Sequence, residues 1–317
     1  MLQRRRLGPG GAEVAAVGLG CMPMSWAYYG GGSEGESIEV IHRALDLGVE
    51  HFDTADVYGP FTNEELVGRA LEGRGDGVTI ATKIGQVVGP NGGYPLQRDA
   101  RPERILQAID GSLRRLRTDI VDLYYLHRID ETVPLEDQWG AMASLVTAGK
   151  ARAIGLSEAS VEELETAAAI HPVAALQSEL SLWTRDENAR QLAWCAERGA
   201  AFVAFAPLGR GYLTGVLTSA SFEGSDFRAD NPRFTTEAIH ANRPIVDVVR
   251  RVAERHGATP AQVAIAWVLS RGDHVLAIPG TKRTRYVEEN VAAAELRLSP
   301  EDLAELDALP EASGSRY

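Results

Sequence analysis

The chain has 317 residues, 44% of them hydrophobic and 24% charged, which suits a soluble globular protein with one large core. A formal net charge of −12 excludes a generally basic nucleic-acid surface and attraction to anionic lipid, while leaving room for a locally basic pocket. The two cysteines, Cys21 and Cys195, stand in no metal or disulfide spacing and fit a reducing compartment.

The start, Gln3-Arg4-Arg5-Arg6, runs into Gly8-Pro9-Gly10-Gly11 rather than an apolar stretch. We therefore expect no signal peptide, no membrane span and a cytoplasmic protein. The same glycines and proline predict a hairpin over residues 2–14. From there short aliphatic runs alternate with helical periodicity. Strands are expected at 15–20, 51–53, 78–83, 121–126, 151–156, 174–177, 201–206 and 275–278. Helices are expected at 36–47, 63–71, 102–115, 135–148, 161–170, 187–198 and 286–293. Gly48 suits a helix stop and Pro102 a first turn. Eight strand-then-helix units imply parallel strands and favour a closed (β/α)₈ TIM barrel over an open sheet. Residues 208–242, rich in Gly, Asp and Arg, read as a long loop after strand seven, and long loops tend to be functional. Residues 311–317 read as a frayed tail, and the whole chain as one domain.

The chemistry-bearing residues collect at strand ends. Gly18-Leu19-Gly20-Cys21-Met22-Pro23 begins like a dinucleotide fingerprint, but Pro23 takes the last glycine position and no helix opens there. No metal-ligand spacing is present, so no metal is expected. Lys83, Asp53, Tyr58 and His127 each have an ordinary explanation: a salt-bridge lysine, a cap, a packed ring and a structural imidazole. Together they leave one end of neighbouring strands two, three and four, the end that carries active sites in such barrels. A phenol, with a reference pKa of about 10, is a useful acid at neutral pH. An ammonium beside it eases proton loss, a carboxylate keeps that ammonium charged, and an imidazole can place a carbonyl oxygen. The set fits carbonyl reduction, which also needs a hydride donor. In the second half, Gly280-Thr281-Lys282-Arg283 opens the last helix and suits an anion, while an ordinary solvated basic loop explains the segment equally well. Phe205 and the glycines of Leu208-Gly209-Arg210-Gly211 could stack on and approach a ligand. Ser157 and Gln177 could fix an amide.

With these residues in place, the chain resembles the aldo-keto reductase superfamily over nearly its whole length. The resemblance is carried by Phe52-Asp53-Thr54-Ala55-Asp56-Val57-Tyr58-Gly59, Ala81-Thr82-Lys83, Leu123-Tyr124-Tyr125-Leu126-His127, Ile154-Gly155-Leu156-Ser157, the run from Pro207 to Gly215, and Ile278-Pro279-Gly280-Thr281-Lys282-Arg283 with Glu289-Asn290. Asn63-Glu64-Glu65-Leu66-Val67-Gly68 and Ser181-Leu182-Trp183-Thr184-Arg185 are most similar to the bacterial and plant branch that includes pyridoxal and perakine reductases. The resemblance implies a catalytic tetrad of Asp53, Tyr58, Lys83 and His127, with Tyr58 as proton donor. It implies NADPH across the barrel mouth. Ser157 and Gln177 would hold the carboxamide, Phe205 would stack on nicotinamide, and Leu208, Gly209 and Gly211 would approach the pyrophosphate. Gly280, Thr281, Lys282 and Arg283 would take the 2′-phosphate, and Glu289 and Asn290 the adenine. Met24, Trp26, Tyr28, Gln86, Trp183 and the loop 228–234 would shape the pocket for a small carbonyl substrate. Two positions depart from the family pattern: Glu158 stands where Asn is common and Phe205 where Tyr is usual. Two other readings stay open, an NADPH-binding regulatory module similar to potassium-channel β-subunits and a Schiff-base lyase through Lys83. The latter needs a neutral amine, against which Asp53 argues. Substrate identity and oligomeric state are open.

Overall fold

The computed structural model describes residues 2–25, 33–89, 96–185, 187–222 and 226–316. Two short strands come first, β1 (Arg4–Arg6) and β2 (Glu13–Ala15), paired antiparallel around the expected glycine turn. Leu7 and Val14 of this hairpin join the apolar interior of the barrel. The guanidinium of Arg5 donates to the carbonyls of Leu269 and Gly272, each at 2.7 Å, and to that of Val275. The hairpin thereby plugs the end of the barrel opposite the site described below.

The barrel strands follow in chain order: β3 (Leu19–Gly20), β4 (His51–Asp53) and β5 (Thr79–Ile84). A small hairpin, β6 (Gln86–Val87) with β7 (Gln97–Arg98), interrupts them. Then come β8 (Val121–Leu126), β9 (Ala151–Ser157), β10 (Ala175–Glu179), β11 (Ala201–Phe205) and β12 (Val275–Ala277). All neighbouring barrel strands are parallel. Bridges from Val17 to Ala277 and from Gly20 to Gly280 join the first strand to the last and close the eight-stranded (β/α)₈ barrel.

The helices are α1 (Glu34–Asp46), α2 (Thr62–Leu71), α3 (Pro102–Leu116), α4 (Leu135–Thr147), α5 (Val161–Ala168), α6 (Ala189–Arg198), α7 (Thr236–Ala241), α8 (Arg243–His256), α9 (Pro260–Leu269), α10 (Thr284–Ala292) and α11 (Pro300–Asp307). Capping boxes start four of them, with Ser33–Glu36, Ser160–Glu163, Thr259–Gln262 and Ser299–Asp302 each satisfying two orphan amides. None of the described helices is long and apolar enough to cross a membrane.

Three expectations need correction. The strand expected at 15–20 is two pieces, because Ala15 pairs in the hairpin and Leu19–Gly20 in the barrel. The stretch 208–242 is not simply irregular: it holds 3₁₀ structure at Gly209–Thr214, broken by a kink at Arg210 and Gly211, short 3₁₀ helices at Phe227–Asp230 and Pro232–Phe234, and α7. Helices α8, α9 and α11 and the β6–β7 hairpin were not expected. α9 is buried on every side, so it carries no amphipathic period to read. Residues 311–316 form no helix or strand, yet several hydrogen bonds tie them down, as shown below.

Candidate active site

Asp53 ends β4, Lys83 lies near the end of β5, and His127 follows β8, so adjacent parallel strands deliver all three to one end of the barrel. Tyr58 comes from the turn after β4. That turn is pinned from beneath: the Thr54 hydroxyl donates to Asn63 Oδ1 at 2.6 Å, and Asn63 Nδ2 donates to the carbonyl of Cys21 and to Ser25 Oγ, each at 2.9 Å.

Lys83 is wholly buried. Its Nζ donates to Asp53 Oδ1 and to the carbonyl of Thr54, the latter at 2.7 Å. Asp53 Oδ2 accepts from Gln177 Nε2 at 2.8 Å, so both carboxylate oxygens are used. Burial pulls the lysine below its ordinary range, and Asp53 pulls it back up. Two acceptors at Nζ are what a protonated amine requires, and we take the pair as charged. Lys83 Nζ lies 5.1 Å from the centroid of the Tyr58 ring. Tyr58 and His127 meet edge to face at 5.7 Å. Burial, then Lys83 and Arg128, hold the His127 imidazole well below its usual range, so it is neutral at physiological pH. Its Nδ1 is buried and has no hydrogen-bond partner.

The residues expected to bind a cofactor ring the same end. Ser157 and Gln177 are buried at the ends of β9 and β10, and Ser157 Oγ accepts from Arg128 Nη1 at 3.1 Å. Phe205 ends β11, half-buried, with its ring against the inner cluster. The backbone beyond it turns sharply: Gly209, Arg210 and Gly211 have φ of 55°, 55° and 95°. Glycine tolerates such angles and lets a ligand come close to the chain. At the far side, α10 starts beside Thr281, Lys282 and Arg283 without a side-chain cap from Arg283, and a helix N-terminus suits an anion. Gly280 bridges to Gly20 there. Asn290 is buried, while the Glu289 carboxylate accepts from the Thr259 hydroxyl at 2.5 Å.

The expected substrate residues fare unevenly. Trp26 and Tyr28 lie outside the described residues. Met24 is buried within the main core, and Gln86 sits half-buried at the start of β6. Trp183 is only 4% exposed; its ring stacks on Tyr212 at 4.4 Å and meets Phe234 at 5.5 Å. It thus supports the loop after β11. In that loop Arg228 is buried against Asp226, and Arg233 reaches Glu179.

Two features escaped sequence reasoning. Asp56 and Glu64 are buried behind the tetrad. Glu64 is paired with Arg115 at 2.6 Å and accepts from Thr82 Oγ1 at 2.5 Å. The acidic residues of the Asp53–Gly59 and Asn63–Gly68 motifs were the available signal. The Glu158 carboxylate takes the Glu179 amide at 2.9 Å and pairs with Arg316. Nothing local in the sequence announces that contact. Among the described residues, no group of three or more His, Cys, Asp or Glu is placed to hold a metal ion.

A family model described as the aldo/keto reductase family matches residues 16–311. The chain is 39% identical over 320 residues to a probable aldo-keto reductase 1 of Glycine max, spanning 100% of this chain and 92% of that relative. It superposes on the glycerol dehydrogenase of Gluconobacter oxydans with a TM-score of 0.89 at 30% identity, covering 97% of this chain and 94% of the other. It also superposes on an aldo-keto reductase of Klebsiella pneumoniae solved in complex with NADPH, with a TM-score of 0.74 at 27% identity and coverage of 100% and 98%.

Proposed function

The chain belongs to the aldo/keto reductase family, and from that premise we propose that it is an NADPH-dependent reductase of a small aldehyde or ketone. The observation that carries this reading is the buried Lys83–Asp53 pair beside the Tyr58 ring, with a neutral His127 against the same ring. When bound, NADPH supplies the hydride that reduces the carbonyl carbon.

The remaining work belongs to the side chains. The Tyr58 hydroxyl gives its proton to the carbonyl oxygen. The Lys83 ammonium makes that proton easier to lose, and Asp53 holds the ammonium charged and in place. His127, kept uncharged, hydrogen-bonds the carbonyl oxygen and sets it beside the phenol. Such proton transfer is worth roughly 10²–10⁴ in rate. The cofactor's residues fit: Ser157 and Gln177 would hold the carboxamide, and Phe205 would stack on the nicotinamide. Leu208, Gly209 and Gly211 would face the pyrophosphate, and Gly280, Thr281, Lys282 and Arg283 the 2′-phosphate. Asn290 would meet the adenine. Glu289 would meet it only on leaving Thr259. The two cations favour NADPH over NADH by charge complementarity. Phe205 keeps the stacking surface that tyrosine gives in relatives and lacks the hydroxyl.

The test is NADPH consumption over a panel of aldehydes, ketones and pyridoxal, with Tyr58→Phe alongside. We expect the variant to bind NADPH like the wild type and to lose reduction by about 10²-fold or more. A Tyr58→Phe enzyme with full turnover would remove the phenol from the acid role.

A further inference from the structure

Glu158 directly follows Ser157 at the end of β9 and has φ of 56°, a left-handed angle that a branched or long side chain seldom adopts. Its Oε1 accepts from the Glu179 amide at 2.9 Å, and its Oε2 pairs with the Arg316 guanidinium. The carboxylate is therefore committed before any ligand arrives. Arg316 also faces Glu179 at 3.5 Å and Glu187 at 3.4 Å. Its carbonyl oxygen accepts from Arg210 Nη1 at 3.1 Å and Asn231 Nδ2 at 3.0 Å. Upstream, the Gly314 carbonyl accepts from Arg233 at 3.3 Å, and Ser313 and Asn242 exchange two hydrogen bonds at 2.7 and 3.0 Å. Residues 313–316 are thus laced at once to the ends of β9 and β10 and to the loop that carries Gly209 and Gly211.

Among the described residues, the carboxylates of Glu158, Glu179 and Glu187 face the guanidiniums of Arg210, Arg233 and Arg316. Without Arg316 the Glu158 carboxylate loses its guanidinium partner, and its negative charge stands next to Ser157, where on the reading above an anionic dinucleotide would pass. Uncompensated like charge at a binding surface costs affinity.

We propose that Arg316 is a positioning residue of the cofactor site: its guanidinium neutralises Glu158 and, by pairing with Glu158, Glu179 and Glu187, anchors the segment whose carbonyl oxygen holds Arg210 of the 209–214 turn, beside the strip where the cofactor would lie. This rests on the NADPH reading above. It also accounts for the tolerance of a glutamate at 158, which Arg316 turns from a repelling group into an anchor.

The experiment compares wild type with Arg316→Ala, Glu158→Asn and the double variant. It reads the NADPH dissociation constant and off-rate by fluorescence, amide hydrogen exchange of residues 209–214 in cofactor-free protein, and KM against kcat. Arg316→Ala is expected to weaken NADPH about tenfold, mainly through the off-rate. It should also speed exchange in 209–214 and raise KM for NADPH without lowering kcat. Glu158→Asn alone should not weaken binding, and added to Arg316→Ala it should recover most of the lost affinity. An Arg316→Ala protein with wild-type affinity, off-rate and exchange overturns the proposal. A double variant as weak as Arg316→Ala overturns the role of charge. Wild-type protein that fails to bind NADPH overturns the functional reading and this one with it, whereas unchanged Arg316→Ala beside a binding wild type overturns this one alone.

Discussion

Lys83 and Asp53 are buried, where two charges are tolerable only because each satisfies the other. Removing one of them strands its partner. Lys83→Met is expected to cost about 3 kcal/mol of stability, because Asp53 then keeps only the Gln177 amide. Replacing both, as Lys83→Met with Asp53→Leu, should restore most of that stability while reduction stays lost. Urea unfolding of the three proteins checks this, and a Lys83→Met chain as stable as wild type would show the pair uncharged. The positions of these residues were legible because a strand's last side chain lies at a known end of a parallel barrel. Their partners were less so. Gln177 reaches Asp53 across 124 residues of chain, and Arg316 reaches Glu158 from a stretch whose composition suggested a frayed end. Strand-end logic says where a side chain starts; it does not say which of several polar neighbours it will bind.

Elements built on a clean period read true, and those without one did not. β8, Val121–Leu126, and the start of α3 at Pro102 coincide with expectation, since aliphatic runs and a first-turn proline are strong local signals. α9 was missed because its all-round burial erases the polar stripe. Packing between elements leaves a different trace, in small residues. Gly68 lies within α2 where that helix crosses α3, and a Cβ there would stand 2.2 Å from the carbonyl oxygen of Arg115. Glycine lowers the intrinsic stability of a helix, so its presence marks a close approach that only glycine permits. Arg115 in turn holds Glu64 of α2, which takes the Thr82 hydroxyl from β5. Gly68→Ala should push α2 from α3 and strain this tie, at a cost of about 2 kcal/mol despite alanine's better helix propensity. A thermal midpoint equal to or above wild type would show that the helices have room to spare.

At the scale of the whole molecule, the barrel buries ionisable groups such as His51, Asp56 and Glu64 around the Lys83–Asp53 pair, and its stability should carry their signature in pH. His51, facing the barrel interior two residues before Asp53, is pulled down to about 4 by burial. An unfolded chain would protonate it below about 6.5. The unfolded state therefore gains the proton first, and His51 lowers stability as pH falls from 6.5 towards 4. Asp56 acts at the other side. Burial, then Glu64, push its carboxyl up to about 8 against the pull of Arg104 and Arg115. The folded state keeps a proton that the unfolded chain surrenders from pH 3.8 upward, so this group lowers stability as pH rises through that window, by on the order of 5 kcal/mol at its end. Asp56→Asn has nearly the shape of the protonated side chain and cannot ionise. The variant should match wild type near pH 4 and then become progressively more stable than it up to pH 8, where the gap stops growing. Chemical denaturation at pH 4.5, 6 and 8 reads the gap directly. A difference that stays constant across the three would mean that Asp56 is already ionised in the folded protein, paired with Arg104 rather than kept neutral by burial.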